Sequence, residues 1–391
     1  MSAFADRTLR IGVAGLGRAF SVMLPTFAAD PRVALVAAAD PRAEARARFA
    51  ADFASKAYAR VEDLCADPAV EVVYVATPHQ FHAAHAVLAA EHRKHVLIEK
   101  PLALTLEDCD AIIAAAERAG VRLVVGHSHS FDAPILRLRA LIASDAFGPV
   151  RMITAFNYTD YLYRPRRPEE LDTARGGGAV FNQAAHQVDM VRLIGGGRVA
   201  SVRAATGAWD TARPTEGAYA ALLTFADGAF ASLAYSGYGR FDSDEFDNWI
   251  GEMGQAKQPY AGAGRPRFAS GAEEAATKAA RNYGGADYRP PTPASAHQHF
   301  GTIVVSCAQA DLRPLPTGVM IYQDGAARLD PLPPPAVPRR EVIDELHRGI
   351  VNGEPPLHDG PWAAATVEVL LAMLRSAREG REIALTRQVE L

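Results

Sequence analysis

The chain has 391 residues, 49% of them hydrophobic, and a formal net charge of −4. This length allows two or three domains with buried cores, and the weak charge argues against nucleic-acid binding. The chain has three widely spaced cysteines, Cys65, Cys109 and Cys307. They argue against a disulfide framework or a zinc cluster, and we expect a cytoplasmic protein. We expect no signal peptide and no membrane span.

The first part of the chain alternates apolar strand patterns with helical patterns. Strands are predicted over residues 9–15, 33–39, 72–76, 95–99 and 121–126, and helices over 42–55, 80–92 and 106–119. This alternation predicts a doubly wound parallel sheet, an α/β Rossmann domain over residues 1–127.

The remaining residues, 128–391, have a different pattern. Longer strands are predicted over 151–158, 199–208, 218–225 and 230–235, with one helix over 178–194 and a hairpin turn at Asp227-Gly228. This pattern predicts an α+β domain with an open, mostly antiparallel sheet. Residues 251–296 are predicted to form an excursion or an ordered loop. Amphipathic helices within 339–379 are expected to pack back on the first domain.

Gly15 and Gly17 follow the first strand, as in a dinucleotide-binding turn that places a pyrophosphate at a helix N-terminus. Asp40 ends the next strand, where a carboxylate binds the adenosine ribose hydroxyls and favours NAD over NADP. Arg42 is either a ligand for a 2′-phosphate or a solvated side chain, and we favour the latter. The expected cofactor contacts around this turn are Gly15, Gly17, Arg18, Ala19, Phe20, Asp40 and Arg42.

Thr77, Pro78, His79 and His82 follow a third strand and are expected near the nicotinamide ribose. His79, His82 and His85 are three residues apart, but this spacing spreads them around a helix. We therefore predict no metal centre here.

Glu99-Lys100-Pro101 ends a buried strand, so Glu99 and Lys100 are expected at the sheet edge, in contact with the cofactor. Asn182 and His186 are i and i+4 on one predicted helix and share a face. The glycines 176–178 before them would let the chain approach the nicotinamide. Histidine has a pKa suited to proton transfer near neutral pH, so His186 and Lys100 are the predicted catalytic pair.

Together these motifs resemble the glucose-fructose oxidoreductase, inositol dehydrogenase and MocA (GFO/IDH/MocA) family over nearly the full length. The resemblance implies an NAD-dependent dehydrogenase whose open sheet forms a homodimer or homotetramer contact. Two positions depart from the family pattern: His79 replaces an Asn, and Asn182 replaces an Asp that can take part in proton transfer. Because Asn182 cannot take a proton, acid–base chemistry falls on His186 and Lys100, and Asn182 is expected to bind substrate.

Residues 181–189, 215–219 and 230–237 resemble a subgroup of the family, the phthalate cis-4,5-dihydrodiol dehydrogenases. This similarity implies NAD-dependent oxidation of a dihydrodiol dicarboxylate to 4,5-dihydroxyphthalate, a step of aromatic catabolism. Two alternatives remain: a polyol or sugar dehydrogenase of the inositol type, and a non-catalytic NAD-binding sensor.

A dicarboxylate substrate requires cations. Arg164, Arg166 and Arg175 are the candidates, since guanidinium groups match carboxylates. The alternative is a solvated loop in which arginines pair with the neighbouring glutamates. His127 follows the last predicted strand of the first domain and is expected to point into the cleft. Tyr158 and Trp209 either flank a flat substrate ring or belong to the core.

Overall fold

The computed structural model describes residues 7–260 and 268–391. The first elements are β1 (Leu9–Ala14), α1 (Arg18–Ala29), β2 (Val33–Ala39), α2 (Ala43–Phe53), β3 (Lys56–Tyr58), α3 (Val61–Ala66), β4 (Val72–Val75), α4 (His82–Glu91), β5 (His95–Ile98), α5 (Leu106–Ala119) and β6 (Leu123–Val125). The later elements are α6 (Ala133–Ala143), β7 (Val150–Tyr158), α7 (Ala185–Ile194), β8 (Val199–Gly207), β9 (Ala218–Phe225), β10 (Phe230–Ser236), α8 (Gly271–Arg281), β11 (Thr302–Cys307), β12 (Asp311–Leu315), β13 (Gly318–Gln323), β14 (Ala326–Pro331), α9 (Arg340–His347), α10 (Gly360–Glu379) and β15 (Ile383–Ala384).

The first sheet is parallel and six-stranded, in the order β3-β2-β1-β4-β5-β6. Its central strand β4 is buried at all four residues, as expected for a strand covered by helices on both faces. The predicted doubly wound sheet is confirmed. The short edge strand β3 and helix α3 were not predicted, because three partly exposed residues carry no apolar pattern.

The second sheet has nine strands in the order β14-β13-β12-β11-β7-β10-β9-β8-β15. Its pairs are antiparallel except for β7 with β10, so the predicted open, mostly antiparallel sheet is also confirmed. Strands β11 to β14 were missed. Most residues of β14 are exposed, so apolar alternation is absent there.

Two compact units divide the chain. Unit 1 combines Met1–His127 with Ala269–Pro291 and Val337–Ala364, and unit 2 contains Ser128–Phe268, Thr292–Ala336 and Ala365–Leu391. The predicted division placed every residue after His127 in the second domain, whereas the segments Ala269–Pro291 and Val337–Ala364 belong to unit 1. Both segments pack on helix α1, because Tyr283 contacts Phe20 and Thr26 donates a hydrogen bond to Pro338 O.

Two expectations concern later segments. Residues 251–296 contain helix α8, so they are not only a loop. Helix α9 groups with unit 1, whereas α10 continues from unit 1 into unit 2. Among the described residues, none of the helices is both long enough and apolar enough to span a membrane.

Candidate active site

In unit 1, the turn after β1 has the backbone geometry that a dinucleotide requires. Gly15 has a φ of +96°, and a Cβ there would lie 2.8 Å from Ala76 O. Gly17 precedes α1, no side chain caps the helix, and no atom lies within 4 Å of where its Cβ would stand. Exposed Arg18 and half-buried Ala19 begin the helix. This open helix N-terminus fits a pyrophosphate.

Phe20 occupies the third glycine position of the usual fingerprint but is not placed to line the cofactor. It is completely buried, and its ring packs against Phe49 of α2 and against Tyr283. Its role is to join helices α1 and α2.

Asp40 and Arg42 form an ion pair at the end of β2. Arg42 Nε lies 3.0 Å from Asp40 Oδ1, and Nη2 lies 3.2 Å from Oδ2. Backbone N–H groups of Leu16 and Arg42 donate to the same carboxylate, at 2.8 and 2.9 Å. The favoured interpretation of Arg42 as a solvated side chain is therefore wrong.

The residues after β4 are fixed by hydrogen bonds. Thr77 Oγ1 lies 3.0 Å from His85 Nδ1, and Pro78 precedes a 3₁₀ turn at His79–Phe81. The rings of His79 and His82 contact edge to face at 5.4 Å. Among the described residues, no group of three or more His, Cys, Asp or Glu side chains is arranged to hold a metal.

His82 links two loops at the carboxyl edge of the sheet. Its Nδ1 lies 2.9 Å from Pro101 O, and its Nε2 lies 3.0 Å from Thr77 O. Burial, with a smaller contribution from the charge of Lys100, lowers the pKa of His82 to about 4. His82 therefore positions the Thr77 loop and the Lys100 loop together.

Glu99 and Lys100 follow β5 as predicted, but with different surroundings. Glu99 is buried and accepts a hydrogen bond of 2.6 Å from Tyr74 Oη, so its carboxylate braces the sheet. Lys100 is half-buried and precedes a cis peptide bond to Pro101. Because it follows β5 of the parallel sheet, Lys100 lies at the carboxyl edge of that sheet.

In unit 2, Asn182 and the glycines before it have a structural role. The amide of Asn182 donates to Gly176 O and Gly178 O, at 3.0 and 2.9 Å. A Cβ at Gly178, where φ is +80°, would collide with the carboxylate of Glu216. These glycines admit Glu216, which accepts from Val180 N at 3.1 Å, whereas the sequence suggested a close approach to the nicotinamide.

His186 lies on α7 beside a second histidine that the sequence analysis did not single out. The centroids of the His186 and His129 rings are 4.8 Å apart, with planes inclined by 69°. Helix α7 is anchored by Asp189, which accepts hydrogen bonds from Ser130 Oγ and Thr366 Oγ1, at 2.5 and 3.1 Å. The two imidazoles are therefore held in a fixed relation.

His129 lies between two carboxylates. Its Nδ1 is 2.6 Å from Asp132 Oδ2, and its Nε2 is 3.5 Å from Glu252 Oε1. Burial lowers the pKa of His129, but the charges of Asp132 and Glu252 more than offset this and raise it overall. Burial raises the pKa of Glu252, but His129 and Arg164 lower it, to about 2. The two carboxylates thus favour the protonated, positively charged form of His129.

Stacked aromatic rings adjoin the histidine pair. Phe300 contacts both His129 and His186, at centroid distances of 5.1 and 5.0 Å. Behind it, Tyr235 is parallel to Phe300 at 6.3 Å, and Tyr219 is stacked on Tyr235 at 5.4 Å. The result is a buried stack of aromatic rings next to the two imidazoles.

The three predicted arginines have different surroundings, and Arg164 is linked to this cluster. It pairs with Asp160 at 2.8 Å and interacts electrostatically with Glu252 and Tyr235. Arg166 is buried, with its guanidinium 3.8 Å above the Tyr161 ring. Arg175 is exposed at the end of a short 3₁₀ turn.

The other predicted substrate contacts have varied surroundings. Tyr158 is adjacent in the strand to Asn157, which shares a face with Tyr235, so Tyr158 projects from the opposite face of the sheet. Trp209 is 70% exposed and stacks on Tyr238. Buried His127 ends unit 1 after a cis peptide bond from Gly126.

The sequence analysis missed His129, Asp132, Glu252 and Phe300. The available signal was the His-Ser-His pattern of residues 127–129 directly after a strand, in the position where α/β folds carry ligand-binding residues. Glu252 and Phe300 carry no local pattern.

Comparison with known families matches residues 9–127 to the oxidoreductase family with an NAD-binding Rossmann fold, and residues 135–254 to the GFO/IDH/MocA C-terminal domain. The chain belongs to the GFO/IDH/MocA oxidoreductase family. The predicted family membership, dehydrogenase class and NAD cofactor are thereby confirmed.

Three relatives illustrate the similarity. A 1-carboxy-3-chloro-3,4-dihydroxycyclohexa-1,5-diene dehydrogenase from Comamonas testosteroni is 48% identical over 95% of each chain. A candidate dehydrogenase from Bordetella bronchiseptica RB50 has a crystal structure with a TM-score of 0.91, at 42% identity over 97% of this chain and 100% of that one. The WlbA dehydrogenase of Bordetella pertussis, solved with NADH and UDP-GlcNAcA, shares the fold at 22% identity, a TM-score of 0.69 and coverage of 97% and 99%.

Proposed function

We propose that this family member oxidises a carboxylated cis-dihydrodiol of a cyclohexadiene ring to the corresponding catechol. The name of the Comamonas testosteroni relative describes a substrate with the same ring, diol and carboxylate. The observation that carries the proposal is His186 beside the ring of Phe300 and beside His129, whose charged form two carboxylates favour. An unsaturated ring that carries a negative charge suits such surroundings.

His186 is the proposed base. Its Nδ1 is buried, which leaves Nε2 as the nitrogen that accepts the hydroxyl proton of the substrate. His129 adjoins this base, with the two ring centroids 4.8 Å apart. Bound NAD supplies the hydride acceptor.

Lys100 is the proposed electrostatic partner. Its ammonium group hydrogen-bonds the reacting hydroxyl and stabilises the negative charge that develops on oxygen as the proton leaves. The oxidised ring carbon becomes a ketone, which enolises to the aromatic catechol and makes the oxidation favourable.

The ring carboxylate is proposed to bind near Arg164 and His129, the two cations that face Glu252. A substrate with two ring carboxylates would be the phthalate cis-4,5-dihydrodiol suggested by the sequence. A substrate with one ring carboxylate would resemble the compound in the name of the Comamonas testosteroni relative. The finer proposal is the dicarboxylate, because the segments 181–189 and 215–219 resemble the phthalate subgroup.

The deciding experiment is NADH formation measured with four substrates: phthalate cis-4,5-dihydrodiol, a monocarboxylated cis-dihydrodiol, an uncarboxylated cis-dihydrodiol and myo-inositol. We expect the carboxylated diols to have the highest kcat/KM. Turnover of inositol alone would identify a polyol dehydrogenase, and NAD binding without any turnover would identify a sensor. Either result would disprove the proposal.

We also propose a homodimer or homotetramer formed through the open sheet. Met152, Leu222 and Phe230 are exposed on neighbouring strands β7, β9 and β10. Exposed apolar residues grouped on one sheet face are typical of a protein interface. Leu222→Glu is expected to lower the oligomeric mass in light scattering, whereas Phe81→Ser, at an exposed aromatic elsewhere, is not.

A further inference from the structure

A segment far from the glycine turn in sequence packs on the adenosine end of the cofactor unit. We call residues 271–288 the strap: it comprises α8 and the loop that follows it. Tyr283 of the strap is completely buried and packs edge-on against Phe20 at 5.1 Å. Its hydroxyl donates to Asp52 Oδ2 at 2.7 Å. The strap is therefore attached to both α1 and α2.

Gly284 brings the strap into direct backbone contact with α2. Its φ is +80°, and a Cβ there would lie 2.5 Å from Ala45 Cα. A side chain at this position is excluded by the left-handed backbone and by the neighbouring helix. The position of the Tyr283 carbonyl relative to the start of α2 is thus fixed.

That carbonyl accepts a hydrogen bond from Arg42. Arg42 Nη1 lies 3.3 Å from Tyr283 O, and Nη2 lies 2.8 Å from Leu16 O. The Nε and Nη2 groups also contact the Asp40 carboxylate, as described above. Every nitrogen of this guanidinium therefore faces an acceptor of the protein itself.

We propose that the strap enforces selection of NAD over NADP by holding Arg42 against Asp40. A 2′-phosphate is bound well by an arginine that offers its planar N–H groups. Here those groups are directed to Asp40, Leu16 O and Tyr283 O, while the Asp40 carboxylate repels the phosphate. Selectivity in this chain thus depends on a segment outside the dinucleotide fingerprint.

Two strap variants test the proposal through binding of the reduced cofactors, measured by their fluorescence. Gly284→Val displaces the strap from α2, and Tyr283→Ala removes its buried anchor. In both variants Arg42 becomes able to turn toward a phosphate. The ratio of the NADPH Kd to the NADH Kd is expected to fall about tenfold, equivalent to about 1.4 kcal/mol.

Matched controls separate this effect from general damage. Gly271→Ala alters a strap glycine whose Cβ position has open space, and Tyr283→Phe keeps both the ring and the carbonyl. Both controls are expected to retain the wild-type ratio. If Gly284→Val does not fold, Tyr283→Ala decides alone. An unchanged ratio in a folded strap variant that still binds NADH would overturn the proposal.

Discussion

The imidazole rings of His129 and His186 lie edge to face, with their centroids 4.8 Å apart. Two groups this close titrate as a coupled pair, because a charge on one disfavours a charge on the other. The carboxylates of Asp132 and Glu252 stabilise the charge on His129. The proposed base His186 therefore lies beside a ring whose charged form two carboxylates favour.

Asp132→Asn is expected to lower the pKa of His129. The carboxylate beside Nδ1 favours the charged imidazole, and removing an opposite charge at this range shifts a pKa by about one unit or more. Histidine ring proton titration by NMR measures the change. Asp145→Asn, at an exposed aspartate, is the control, and a His129 signal unmoved by Asp132→Asn would contradict the assignment.

Lys100→Met is expected to lower kcat by about a thousandfold, since charge stabilisation at the reacting oxygen is lost. The Kd of NADH, measured by fluorescence, is expected to remain close to that of the wild type. Lys56→Met, at an exposed lysine, controls for loss of positive charge. Unchanged turnover would remove Lys100 from the mechanism.

Arg164→Ala is expected to raise the KM for a carboxylated dihydrodiol by about tenfold, the effect of losing one charged hydrogen bond. Arg175→Ala is the matched control, because Arg175 is exposed at the end of a 3₁₀ turn. Steady-state kinetics with carboxylated and uncarboxylated diols measure the effect. An equal rise for both diols would show that Arg164 does not bind the carboxylate.

Asp40→Ser is expected to reduce the preference for NAD by about tenfold or more, since it removes both the repulsive carboxylate and the partner of Arg42. The Kd values of NADH and NADPH provide the measurement. Asp63→Ser, on the surface of α3, should leave the ratio unaltered. A preserved preference in Asp40→Ser would place the selective carboxylate elsewhere.

His82 makes the cofactor unit sensitive to acid. Its pKa is about 4 in the folded protein and 6.5 ordinarily, so the unfolded chain binds the proton first as pH falls. The contribution of His82 to the free energy of unfolding is fully present above pH 6.5. It is lost as the pH falls toward 4, and the loss amounts to about 3 kcal/mol. In urea unfolding, His82→Asn should lose less stability than the wild type between neutral pH and pH 4. His92→Asn, at an exposed histidine, should behave like the wild type.

The sequence predicted the elements whose pattern is local. Strand β4 is an uninterrupted apolar run closed by Thr77-Pro78, and the Asp227-Gly228 turn joins β9 to β10. Asp40 and Lys100 could be proposed as site residues because each directly follows a buried strand of a parallel sheet.

What escaped prediction depends on residues distant in the chain. The second carboxylate beside His129 comes from Glu252, and Arg42 is held by the carbonyl of Tyr283. Gly178 looked like a place for the cofactor to approach, but its neighbour is the carboxylate of Glu216. Such partners are set by tertiary packing, which single-sequence patterns do not encode.

The three stretches that compose unit 1 have a consequence for biosynthesis. The edge strand β6 uses Val125 N–H to bond His358 O at 2.8 Å, and α1 is bonded to Pro338 through Thr26. A ribosome therefore synthesises most of the polypeptide before the edge of the parallel sheet is covered. During that interval the nascent chain presents an unprotected strand, a known starting point for aggregation. Truncations that remove the last of these stretches should accordingly be less soluble than their length suggests.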